Sequence, residues 1–161
     1  MVKVKVKGMA LDVESRSPVL ILAQDNQDTP LLPIWIGQYE AWAIAIELSG
    51  ARSQRPLTHE LLHQMILRLG GMITRVEITE LKEHTYFAKI HIATGGETVL
   101  IDARPSDAVA LALKAKVEIF ANPELFQEIT PDDPKPHQID GETLKNLLKG
   151  MRPEDFGQVP G

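Results

Sequence analysis

The sequence predicts an α+β fold, one domain in which a mixed, largely antiparallel sheet is flanked by helices. Three observations carry this. Alternating or β-branched apolar runs recur along the chain, and several follow one another directly. The Ala-rich stretches that lack period-two alternation flank these runs rather than strictly alternating with them, which argues against a doubly wound parallel sheet. Finally, 161 residues with 43% hydrophobic and 24% charged content suit a single globular core.

The elements follow in order. In residues 2–13, Lys3, Lys5 and Lys7 alternate with Val2, Val4 and Val6, the pattern of a strand with one wet face. A turn from Ser15 to Pro18 leads to a second strand at 18–24, and Leu31 to Ile36 forms a short third one that Gly37 ends. Tyr39 to Leu48 is Ala/Ile-rich and reads as a buried helix with Gly50 as its C-cap. Thr58 is expected to cap a helix running to Leu69, where Gly70-Gly71 stops it. That helix is expected to bury Leu61, Leu62, Met65, Ile66 and Leu69. Strands at Met72–Leu81, Thr85–Ala93 and Glu97–Ala103 come next, the last two joined through Thr94-Gly95-Gly96. Pro105, favoured at a first helical position, opens a helix to about Lys116. A last strand at Val117–Phe120 and a short helix at Pro123–Gln127 complete the domain, 1–129. Five of the eleven prolines fall in 130–161, so 130–138 reads as a linker, followed by an amphipathic helix from Gly141 to Leu148 and a C-terminal tail.

Composition excludes several classes. Without cysteine the chain has no disulfide framework and no thiolate metal site, which fits a reducing compartment. No apolar run reaches the about 18 residues of a membrane span, and no signal-peptide core opens the chain, so the cytoplasm is the expected location. A net charge of −5 argues against a broad nucleic-acid-coating surface; contact with a phosphate backbone would need one focused basic site.

Three constellations could carry chemistry. At the first, an apolar strand ends in Asp102 and Arg104, and a helix begins with Pro105, Ser106 and Asp107. A carboxylate, a guanidinium and a helix N-terminus thus converge at a place suited to an anion or a metal-bridged phosphate. The second is Arg55, Thr58 and His59 at a helix start, where His59 could move a proton and Arg55 grip a phosphate. Here His59-Glu60-Leu61-Leu62-His63 also matches the H-E-x-x-H pattern of zinc proteases, without a third ligand at a fitting spacing. The third is Glu40, with Glu47 almost on the same stripe of a buried helix, where a carboxylate must be paired, neutral or metal-bound. Pairing to Arg55 or Arg104 is its plain structural reading.

Three segments in this order and spacing resemble the bifunctional nuclease domain family. They are Pro33-Ile34-Trp35-Ile36-Gly37 with Glu40-Ala41, then Arg55-Pro56-Leu57-Thr58-His59-Glu60-Leu61, then Ile101-Asp102-Ala103-Arg104-Pro105-Ser106-Asp107-Ala108. The resemblance covers roughly residues 1–128, and Pro153-Glu154-Asp155-Phe156-Gly157 is similar to the ending of some relatives. It implies an α+β domain that associates as a homodimer or other homo-oligomer, and an activity on both DNA and RNA. The family's shared polar positions fall on Glu40, Arg55, Thr58, His59, Asp102, Arg104, Ser106 and Asp107. The position of His63 varies among relatives, which makes the second half of the zinc-protease pattern accidental.

Taken as a nuclease, the chain would hydrolyse phosphodiesters with Mg²⁺ or Mn²⁺ held by Glu40, Asp102 and Asp107. Arg55 and Arg104, with Thr58 and Ser106 beside them, would bind the phosphate, and His59 would carry the proton. The rival reading is a non-catalytic binding or regulatory module, in which the same Arg, Asp and Glu side chains form a structural network. Exposure discriminates the two: an open cleft favours chemistry, full burial with every donor paired favours architecture.

Overall fold

The computed structural model describes residues 1–12, 15–27, 29–126 and 137–138. Its strands are β1 (Val2–Leu11), β2 (Pro18–Gln24), β3 (Leu31–Trp35), β4 (Met72–Lys82), β5 (Thr85–Thr94), β6 (Glu97–Ala103), β7 (Glu118–Ala121) and the two-residue β8 (His137–Gln138). Its helices are α1 (Gln38–Ser49), α2 (Thr58–Arg68) and α3 (Pro105–Ala115), and a single 3-10 turn stands at Pro123–Leu125.

The strands form one mixed sheet in the order β3-β2-β1-β7-β4-β5-β6, with β8 against β1. All neighbours are antiparallel except β4 and β7, which run parallel. The topology explains that exception. Strand β6 lies two places from β4 across antiparallel β5, so β6, α3 and β7 form a crossover connection that carries the chain over two strands. Helix α3 therefore lies across the sheet, and Ala108 through Ala112 are fully buried. The alternating small and large side chains of Ala108, Val109, Ala110, Leu111 and Ala112 let α3 sit closely between the sheet and α1, whose Ala41, Ile44 and Ala45 are also buried.

The hairpin joining β5 and β6 closes with Thr94 opposite Glu97, and both intervening glycines have positive φ, 58° and 84°. That is the tight primed turn the Gly95-Gly96 pair favours. In β1, Val4 is buried while Lys3, Lys5 and Lys7 are exposed, and the register with β2 shifts between Val6 and Gly8. Strand β2 is buried on both faces.

The structure corrects several expectations. Helix α1 ends at Gly50 in the left-handed conformation as expected, with φ 68°. Thr58, however, is the first residue of α2 rather than its cap. Leu57 holds the extended cap conformation, its carbonyl accepts the Leu61 N–H at 2.7 Å, and no side chain caps the helix. Nor does α2 bury its apolar stripe: among these residues only Ile66 packs on the core, while Leu61, Leu62, Met65 and Leu69 are exposed. The last strand begins at Glu118, because Lys116 takes a left-handed C-cap and Val117 N–H bonds Ala112 O. The Pro123 element is a 3-10 turn ending at Leu125, closed by Asn122 Oδ1 accepting the Glu124 N–H. The expected linker contains β8; the expected helix from Gly141 to Leu148 and the tail beyond it lie outside the described residues. No helix among the described residues is long and apolar enough to cross a membrane.

Candidate active site

The starts of all three helices meet in one cluster of charged side chains. Each helix begins without a side-chain cap, at Gly37, Leu57 and Arg104 respectively. Glu40 in the first turn of α1, His59 in the first turn of α2, and Arg104 with Asp107 at the start of α3 are joined by hydrogen bonds. Arg104 Nε donates to Asp107 Oδ2 at 2.7 Å and Nη2 to Asp107 Oδ1 at 3.2 Å, a fork-to-carboxylate contact within the helix start. Arg104 Nη1 donates to Glu40 Oε1 at 2.8 Å. His59 Nε2 lies 3.0 Å from Asp107 Oδ1.

Local sequence produces this geometry. Pro105 fixes the first helical φ, which holds Arg104 at the cap position, where its side chain reaches forward to Asp107 three residues on. Glu40 folds back over the start of α1 so closely that a Cβ at position 37 would meet its carboxylate, so a larger residue there would push the Glu40 side chain out of this position. Pro56 stands two residues before α2, a position that brings the chain in extended and turns it into the helix at Thr58.

The electrostatics reinforce the pairing. Partial burial pushes the Asp107 carboxyl up, but the hydrogen bonds from Arg104 and His59, with the charge of each, outweigh it and hold the group below the usual carboxylate range. Asp107, and to a lesser extent Glu40, raise the Arg104 pKa further still. The cluster is graded in exposure: His59, Glu40 and Asp107 are 18%, 20% and 29% exposed, whereas Arg104 is 65% exposed. Three of the guanidinium's five N–H donors are engaged by the carboxylates, leaving two for a ligand.

The cluster borders a cavity of about 840 Å³ between the helices, lined also by Thr58, Trp42 and Leu113. A second ion-pair cluster lines the same cavity. Lys114 of α3 meets Glu47 of α1 at 2.7 Å and Glu60 of α2 at 3.6 Å. Glu47 thus finds a lysine, and Glu40 finds Arg104, one of the two arginines expected for it. Lys114 belongs to no motif; its signal in the sequence is a lysine in the last turn of an Ala/Leu-rich helix.

Not every expected residue joins the site. Asp102 is exposed on β6, opposite Lys89 of β5, and borders neither this cavity nor its neighbour. Alternation explains this: Ile101 and Ala103 oppose Ile90 and Ala88 of the core face, which sends Asp102 to the other face of the sheet. Arg55 is exposed and also lines neither cavity, while Ser106 is buried beside a second hollow.

The donor chemistry does not fit a resident divalent ion. Glu40 and Asp107 both face Arg104, Asp102 stands apart, and among the described residues no group of three or more His, Asp or Glu side chains gathers in metal-binding geometry. The zinc-protease pattern fares no better, since His59 turns Nε2 to Asp107 and Glu60 turns to Lys114.

A family model described as the bifunctional nuclease domain matches residues 20–133, which span every residue of this cluster. The chain belongs to the bifunctional nuclease domain family. An uncharacterized protein of Mycobacterium tuberculosis is 35% identical over 163 residues, covering 96% of this chain and 97% of that one. Bifunctional nuclease 1 of Oryza sativa subsp. japonica is 29% identical over 106 residues, covering 64% of this chain but 32% of the plant protein. Bifunctional nuclease 1 of Arabidopsis thaliana is 26% identical over 108 residues, covering 65% and 33%. The part these plant members share with this chain is therefore about a third of their length.

Proposed function

We propose that this protein is a nuclease that hydrolyses phosphodiester bonds of DNA and RNA at the Glu40–Arg104–Asp107–His59 cluster. The observation that carries the reading is the convergence of three helix starts, none capped by a side chain, on an exposed arginine with two unengaged donors. Helix N-termini and a guanidinium both favour a phosphate, and their joint position concentrates that preference at one spot of an acidic protein. The names of the plant relatives support the same class.

In this reading Arg104 grips the phosphate and neutralises charge as it develops. Asp107 and Glu40 hold the guanidinium in place, so little ordering is needed on binding. Asp107 also accepts from His59 Nε2, which assigns the ring hydrogen to that nitrogen and leaves Nδ1 as the base. Water attacks phosphorus while its proton passes to Nδ1; the bond from phosphorus to the leaving sugar oxygen breaks, and that oxygen takes a proton from solvent. No step is routed through a metal ion. A chain without cysteine suits action in the cytoplasm.

The test is incubation of purified protein with single-stranded DNA and with RNA, in EDTA and in Mg²⁺ or Mn²⁺. Both strands are expected to be cut, and Arg104→Ala to lower the rate by about 10²–10³-fold, as for loss of a charge-stabilising donor. Undiminished cutting by Arg104→Ala would overturn the reading.

We also propose that the functional unit is a homodimer joined through β6. This strand ends the sheet, and its Val99, Leu100 and Ile101 are exposed, Val99 and Ile101 on the face that carries the helices and Leu100 on the other. Ile66 of α2 and Ile92 of β5 both approach Gly71, and Ile92 pairs with Val99, which brings the exposed Val99 near the C-terminal end of α2. Antiparallel self-pairing centred on Leu100 sets Glu97 against Ala103 and Asp102 against Thr98, opposing no like charges.

A further inference from the structure

A second hollow of about 610 Å³ lies beside the first, lined by Trp35, Leu81, His84 and Tyr86 and sharing Glu40 and Arg104 with the larger cavity. Arg104 therefore stands between two cavities, one charged and one walled by aromatic rings. We propose that the second hollow receives an unpaired nucleobase of a single strand whose adjoining phosphate is held by Arg104. The inference rests on the nuclease reading and adds to it a base subsite and a demand for single-stranded substrate.

Three observations support it independently of the phosphate site. Trp35, the last residue of β3, is 52% exposed, yet its indole N–H donates to Asp12 Oδ2 at 2.8 Å. A large apolar ring kept in solvent and held in one orientation is a ready stacking surface, and its ordering does not have to be supplied by the ligand. Tyr86 is fixed similarly, its hydroxyl donating to Pro33 O at 3.2 Å. The third is the β4–β5 turn at the rim. Lys82 pairs with Thr85, and the two residues between them, Glu83 and His84, have positive φ of 47° and 62°. The β5–β6 turn of the same sheet meets the same demand with Gly95-Gly96. At the rim of the hollow the chain instead carries side chains at both positions, and the His84 imidazole adds a third ring to the wall.

The chemistry of these walls selects the ligand. Indole, phenol and imidazole rings next to a guanidinium suit a planar heterocycle attached to a phosphate, and stacking accepts any base. A base inside a duplex is paired and stacked on both faces and cannot enter without leaving the helix. Because hollows flank Arg104 on two sides, a strand with units either side of the held phosphate fills the site, whereas a single nucleotide would fill half of it.

The experiment is fluorescence anisotropy with a nuclease-resistant phosphorothioate strand, compared with the same strand lacking bases and with its duplex. Wild-type protein is expected to bind the base-bearing single strand about 5- to 100-fold more tightly than the abasic one, the range of one stacked base. Trp35→Ala should erase that preference, and Trp35→Phe should keep most of it. Equal binding of the base-bearing and abasic strands by wild type would overturn the proposal without recourse to any variant. So would a preference that survives in Trp35→Ala. The two readings fail separately. Equal binding, with cleavage that Arg104→Ala abolishes, removes the base subsite and leaves the nuclease. A base preference without any cleavage removes the nuclease and leaves the subsite.

Discussion

Arg104 is held by two carboxylates yet remains largely in solvent, the combination that the proposed phosphate contact requires. Asp107 does the complementary work, orienting both Arg104 and His59. Its lowered pKa makes a prediction with a definite sign. A carboxylate depressed in the folded state contributes stability that is complete above its unfolded pKa of about 3.9 and lost as pH falls through the folded value. Asp107→Asn should therefore lower Tm at neutral pH, and the gap from wild type should close as the pH is taken below about 4. A gap that stays constant over that range would show that the Asp107 charge does not matter. At this scale the sequence revealed much of the site, because Pro105 after an apolar strand and a carboxylate at Glu40 in an Ala/Ile-rich helix are local signals. Asp102 misled because proximity in sequence to Arg104 says nothing about which face of a strand a side chain takes; alternation against β5 decides that, and β5's register is not written in β6. Arg55 misled for a related reason: a loop residue's reach depends on a path that only the neighbouring helices define.

Among the elements, α2 departs furthest from its sequence pattern. Its apolar stripe resembles any core-facing helix, and nothing in the stripe tells whether the surface it meets belongs to this chain or to another. The helix is instead tied on by Ile66 and by two polar contacts along the larger cavity, His59 to Asp107 and Glu60 to Lys114. Lys114 is 22% exposed and balances two carboxylates of which Glu47 is 18% exposed. Replacing Lys114 with Met should cost about 1–3 kcal/mol, since it leaves a largely buried carboxylate without its partner. The urea unfolding midpoint reads this directly, and an unchanged midpoint would mean that α2 is held by other contacts. Strand boundaries were largely legible, because turn residues punctuate them: Gly37, Gly70-Gly71 and Gly95-Gly96 all stand where elements end. The cap of α2 was not, since Thr58 looks like a capping residue and only the Leu57 backbone conformation shows that the helix starts at Thr58 itself.

For the whole molecule, the sheet order could not be read from the sequence. The insertion of β7 between β1 and β4 depends on α3 crossing two strands, and that crossing places Arg104 at the cavity between α1 and α2. The open edge at β6 is the other property of the whole sheet. Light scattering after gel filtration should give about twice the 17.9 kDa chain mass for wild type and the single-chain mass for Leu100→Glu, which would set two charges opposite each other. A monomeric wild type at micromolar concentration would refute the β6 interface. The proposed chemistry turns on His59, with Asp107 and Arg104 arranged around it. The most direct measurement is kcat/KM on a fluorogenic single-stranded oligonucleotide for wild type and His59→Ala, purified identically and compared at equal Tm. Removing the imidazole is expected to lower it about 10²–10⁴-fold; equal activity in the two proteins would rule out a proton-transfer role for His59.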